Sequence, residues 1–103
     1  MAVFSAVYEG RPMPEAEDAA AVGGAFITCW VSATSKAEAA ERARRTIEGR
    51  YWVVVAIDVA WSEVTESSLE SGSLQHFEQA RIDGECYVFH TWGNAAEEDA
   101  AAH

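Results

Sequence analysis

One carboxylate interrupts an otherwise aliphatic run. Asp58 sits within Val53-Val54-Val55-Ala56-Ile57-Asp58-Val59-Ala60. A carboxylate buried in such a run is costly unless paired or hydrogen-bonded, and desolvation raises its pKa. A carboxylate so placed can serve as a general base or anchor a ligand. The bland alternative puts it at a bulge or strand end, partly solvated or bonded to backbone amides. His90, in Cys86-Tyr87-Val88-Phe89-His90-Thr91-Trp92, is the second catalytic candidate. Sharing a sheet face with Asp58, it would form a His–Asp pair. Sharing the face of Cys86 and Val88 against helices, it would be a core histidine. Strand parity leaves both arrangements open. His76 reads as a helix-surface residue and His103 as a tail residue, neither with an evident role.

Other chemistries find no motif. The chain has no glycine-rich phosphate loop, no Cys-x-x-Cys or His-x-x-x-His pair, and no Gly-x-Ser-x-Gly nucleophile turn. No metal site and no cofactor are expected. Cys29 and Cys86 fall inside strand patterns and read as packed, reduced thiols.

The formal net charge is −10, unevenly spread. Residues 1–34 carry −3, residues 35–50 carry +2 and residues 51–103 carry −9. Such a balance repels phosphate backbones. The local cluster Arg42, Arg44, Arg45 and Arg50 alternates with glutamates on a helical stretch, so nucleic acid is not an expected partner. No run is apolar enough for a membrane span, and residues 1–9 lack a basic start and a long apolar stretch. The expected location is the cytoplasm.

The elements that must position these residues follow from periodicity. Residues 2–9 and 25–33 alternate as strands, the second with Ile27, Cys29 and Val31 on one face and Phe26, Thr28 and Trp30 on the other. Between them, Gly10 to Gly24 read as a loop. Ser35-Lys36-Ala37-Glu38 fits a capping box, opening a helix with Ala39, Ala40, Ala43 and Ile47 on one stripe, ended near Gly49. On its outer face, Glu38–Arg42 and Glu41–Arg45 are i,i+4 pairs. Residues 51–64 form a long strand, with a bend or bulge expected near Asp58 or Ala60. Strict alternation puts Val53, Val55, Ile57, Val59 and Trp61 on one face. Residues 73–82 favour a helix carrying Leu74, Phe77 and Arg81 on one side. A hairpin through Asp83-Gly84 is the alternative there. Residues 85–92 are the last strand, and 94–103 an acidic, flexible tail after a single α+β domain spanning 1–93.

The order β-β-α-β-α-β resembles the ferredoxin-like α/β plait. That resemblance implies a four-stranded sheet with parallel strand–helix–strand crossovers and two helices on one face. The aliphatic strand faces would meet the helices. The opposite face would gather Phe26, Trp30 and Trp52 with Thr28 and Asp58. So many aromatics exceed what a soluble monomer usually exposes. The expected function is therefore a homodimeric binding or interaction module that pairs through this open face, which also offers a site for an apolar or aromatic small molecule. The rival is a small-molecule enzyme using Asp58, His90 and Trp30.

Overall fold

The sheet is built outward from a hairpin. β1 (Ala2–Pro12) and β2 (Val22–Ala33) pair antiparallel from Ala2 opposite Ala33 to Gly10 opposite Ala25. α1 (Lys36–Gly49), β3 (Trp52–Val64), α2 (Ser71–Asp83) and β4 (Glu85–Gly93) follow, in the element order expected from periodicity. The computed structural model describes residues 2–14, 21–65, 67 and 71–93. The acidic 94–103 segment and the middle of the β1–β2 connection lie outside the described residues.

The plait is not what forms. Strand order is β3-β1-β2-β4, and every neighbouring pair is antiparallel. β3 does not lie beside β2: it pairs with the free side of β1, and β4 takes the far side of β2. Nor do the helices share a face. Ala39, Ala43 and Ile47 of α1 pack on Phe4, Tyr8, Ile27, Cys29 and Val31. Phe77 and Ala80 of α2 pack on Val3 and Trp30. Adjacent residues of a strand point to opposite faces, so Val3 against Phe4 and Trp30 against Val31 place one helix on each side. The physical reason lies in β2, which is apolar on both faces. Each face then needs its own cover.

The caps are local and mostly as expected. The Ser35 hydroxyl accepts from the Glu38 amide at 3.2 Å. Glu38 reaches back one residue further than a capping box requires, accepting from the Thr34 hydroxyl at 2.8 Å and the Thr34 amide at 3.3 Å. The 83–84 dipeptide ends α2 instead of turning a hairpin. Gly84 takes φ +92 and donates to the Ala80 carbonyl at 2.8 Å, the left-handed helix stop that favours glycine. Among the helix-surface pairs, Glu41–Arg45 forms at 2.7 Å. Arg42 turns inward instead, donating to the Ser32 carbonyl at 2.5 Å and to Glu85 at 3.0 Å. It ties α1 to the ends of β2 and β4.

β3 carries the bulges that its length implied. Its register against β1 shifts three times, between Ser5 and Val7, Val7 and Tyr8, and Glu9 and Gly10. Ile57 faces Tyr8 and Val59 faces Val7, so Asp58 is left between them as a bulged residue. Strict alternation therefore fails. Cross-strand partners share a face, which puts Val54 and Ile57 on the α1 side and Val53, Ala56 and Val59 on the α2 side. Trp61 joins the α1 side, where its indole donates to the Tyr8 hydroxyl at 2.7 Å.

No helix among the described residues is long and apolar enough to cross a membrane.

Candidate functional site

Two surfaces follow from this architecture. The first is the outer strand β3. Val53, Val55, Ile57 and Val59 keep 39, 48, 52 and 51 % of their surface. Ala56, Asp58 and Ala60 are exposed as well, so residues 55–60 are uncovered without a break. The bulges bend the strand; of its residues, Trp52, Val54 and Trp61 pack against the α1-side core and Val64 against the α2-side core, which leaves 55–60 between them. Arg44 of α1 stands beside the exposed stretch. With Tyr8 and residues 54–57 it lines a shallow cleft of about 280 Å³.

The second surface is a cleft on the α2 side of β2 and β4. Thr28 and Trp30 come from β2, two residues apart and so on one face. Val88 and His90 come from β4, with Val88 directly opposite Thr28. Ser73 and His76 come from one turn of α2. Together these six side chains line a volume of about 210 Å³. The ring of His76 stacks on Trp30 with centroids 6.2 Å apart and 28° between planes. Nδ1 of His76 lies 3.9 Å from the Cys86 sulfur. Trp30 is 6 % exposed, and its indole N–H has no hydrogen-bond partner among the described residues.

The residues singled out from the sequence are divided by this geometry. Thr28, Trp30 and His90 meet in one cleft. Phe26 lies further along the same face, packed on Trp92 at 5.1 Å, with 41 % of its surface exposed. Trp52 is on the opposite face, against Phe89 at 5.4 Å. Asp58 is exposed and lines neither cleft. It sits on the outermost strand at one edge and His90 on the outermost strand at the other. Three strand spacings, roughly 14 Å, separate the two strands, so no His–Asp pair forms. His90 shares the face of Cys86 and Val88, yet its side chain is exposed beyond the helix rather than packed in a core. The single aromatic face dissolves, because its members belong to two faces.

Sequence reasoning missed Ser73 and His76. Ser73, His76, Phe77 and Ala80 recur at i, i+3, i+4 and i+7, a complete helical stripe. Choosing Leu74 and Arg81 for the inner side turned His76 outward. In the structure Phe77 and Ala80 are buried and Leu74 is exposed.

The two thiols are poor nucleophiles. Burial pushes Cys29 up to about 12. Burial also raises Cys86, with the Asp83 carboxylate adding to it and Arg50 opposing. The 3.9 Å approach of Cys86 to His76 is thus made by a protonated thiol rather than a thiolate. In a disulfide-exchange assay at pH 8 on the native protein, Cys29 should react only on global unfolding, and Cys86 more slowly than a free thiol. Rapid labelling of both would contradict this. Among the described residues, no cluster of three histidine, cysteine or carboxylate side chains is arranged to hold a metal ion.

No protein-family model, curated protein or solved structure matches the chain.

Proposed function

We propose that the chain is a small self-associating interaction module of the cytoplasm, and that β3 is the surface through which two copies meet. One observation carries the reading: the uncovered stretch Val55-Ala56-Ile57-Asp58-Val59-Ala60 of an edge strand, aliphatic but for Asp58. Long apolar edge strands are a liability that proteins cover, blunt or charge. Here the bulges blunt the edge, but the bulged residues are themselves largely aliphatic.

Charge favours a second copy as the occupant. An acidic chain repels its own kind over most of its surface. Residues 52–62 carry a single charge, Asp58. Neither Asp58 nor the nearby Arg44 has an ion-pair partner among the described residues. Two β3 strands set antiparallel about a twofold axis at Ile57 place Val55 opposite Val59 of the second copy and Asp58 opposite its Ala56. Asp58 then faces an alanine rather than a like charge. An axis at Asp58 would set two carboxylates face to face, which is unfavourable.

Sedimentation equilibrium should give a mass near twice 11.2 kDa. Ile57→Asp should return the monomer with an unchanged circular dichroism spectrum. Val59→Asp, opposite Val55 of the second copy, should weaken association in the same way. A wild-type monomer at high micromolar concentration overturns the proposal.

A further inference from the structure

The outer edge of β4 is open to a further strand. β4 ends the sheet, and among the described residues no strand pairs with its far side. The Ser32 amide donates to the Gly84 carbonyl at 2.9 Å. Hydrogen-bonded pairs alternate along an antiparallel ladder, so in this register Cys86, Val88, His90 and Trp92 turn their backbone groups toward β2. Tyr87, Phe89 and Thr91 turn theirs outward. Proteins blunt such edges with bulges, prolines or charges. β3 has its bulges. Over 86–92 β4 has none of these devices: its register against β2 is unbroken, and it carries no proline, lysine or carboxylate. Arg50 stands above this strand. Its guanidinium carbon lies 5.6 Å from the Tyr87 ring centre and 5.9 Å from that of Phe89, on the α1 side. Arg50 is exposed and has no ion-pair partner among the described residues.

We infer that the β4 edge takes up an extended acidic segment of another protein as an added strand. Main-chain bonds to Tyr87, Phe89 and Thr91 hold it, and its alternate side chains give specificity. On the α1 side, a glutamate or aspartate beside Tyr87 and Phe89 meets the Arg50 guanidinium in a charge-assisted contact. On the other side, apolar side chains meet Val88 and Trp92, which share one face of β4. A second copy of this chain is a poor occupant. Two β4 strands set antiparallel about a twofold axis place both Arg50 side chains on the same face. Glu85, the only carboxylate of the strand, is already engaged by Arg42 and Thr46. The inference uses none of the β3 residues, so it stands or falls apart from self-association.

The test is a titration of the intact chain with an end-blocked peptide, Thr-Thr-Val-Glu-Val-Thr-Thr, read by amide hydrogen exchange. In the free chain the amides of Tyr87, Phe89 and Thr91 should exchange faster than those of Cys86, Val88 and His90. At ten times its Kd the peptide should slow the outward three by about tenfold, as mass action requires. Replacing the glutamate by glutamine should weaken binding by about fivefold, and so should Arg50→Gln with the parent peptide. Thr91→Pro removes an outward donor at a position where an edge strand accepts proline. It should abolish binding and leave the circular dichroism spectrum unchanged. If that variant fails to fold, a peptide N-methylated at every residue serves instead and should not bind. Equal binding of the glutamine peptide overturns the acidic partner. Unchanged exchange of Tyr87, Phe89 and Thr91 at millimolar peptide overturns the site. Outward amides already protected in the free chain would mean that another part of the chain fills the edge, which also overturns it. Sedimentation should show self-association unaltered by peptide; a dimer that peptide splits would place self-association at β4 and overturn the inference.

Discussion

Replacing Ile27 with alanine should cost about 2–5 kcal/mol of stability, the range for an isoleucine deleted from a packed core. Ile27 has no exposed surface and lies at the centre of β2 on the α1 face. Tyr8 of β1 faces it from one side and Phe89 of β4 from the other. Ile47 of α1 belongs to the same cluster. Tyr8 and Phe89 are held in place by their strand pairings, which limits collapse into the space. A domain of this size holds only about 5–15 kcal/mol in total. The melting temperature should therefore fall by roughly 10–25 °C. Ile82→Ala is the control: the same residue type, 76 % exposed at the end of α2, should change stability by less than ~0.5 kcal/mol. Similar losses from both variants would mean that the core is not where this packing places it.

Arg42→Ala should cost about 1–2 kcal/mol at neutral pH and much less in acid. The guanidinium bonds the Ser32 carbonyl at 2.5 Å and Glu85 at 3.0 Å. Its side chain and that of Glu85 are each about a third exposed, at 32 and 29 %. The cost therefore falls below that of breaking a fully buried pair. Burial alone would raise the Glu85 carboxyl. Hydrogen bonds led by Thr46, together with the Arg42 guanidinium and its charge, outweigh burial and hold the group below the ordinary carboxylate range. A carboxyl depressed in the folded state stabilises the fold above its unfolded pKa, near 4.3, and that contribution fades as pH falls through the lower folded value. Urea unfolding at pH 7 and pH 3 should show the gap between wild type and Arg42→Ala narrowing in acid. A gap of equal size at both pH values would show that Arg42 acts through its carbonyl bonds alone.

What the sequence made legible was local. The Ser35 cap, the alanine stripe of α1 and the bulge at Asp58 all depend on neighbours within a few residues, and periodicity carries that information. Strand order depends on which edge a distant strand finds, and no local pattern encodes it. One clue to the second helix position was present. Phe26 and Trp30 alternate with Ile27, Cys29 and Val31, which makes β2 apolar on both faces. Reading the aromatic side as open surface, rather than as a second core, followed from assuming a plait. The bulges did the rest: each surplus residue in β3 reverses parity, so a face list extended from Val53 to Trp61 was bound to fail. In the candidate cleft, Thr28, Trp30 and His90 were found because they sit on regular strands. Ser73 and His76 were missed because two helical stripes competed, and the less apolar one faced the sheet.

The strand order also dictates how the chain must assemble in time. Only β1 and β2 are joined by a short connection. Both outer strands close long loops: β3 reaches back to residues 3–12 and β4 to residues 22–31. Such distant closures slow folding relative to helical bundles of equal size, toward the millisecond-to-second range. During synthesis the β1–β2 hairpin emerges before β3, and β4 is the last of the four strands. Until β4 leaves the ribosome, the far edge of β2 has no strand to pair with, and Phe26 and Trp30 lack their neighbours from β4. The interval before β4 pairs is therefore when these four strands are most exposed to aggregation and to chaperones.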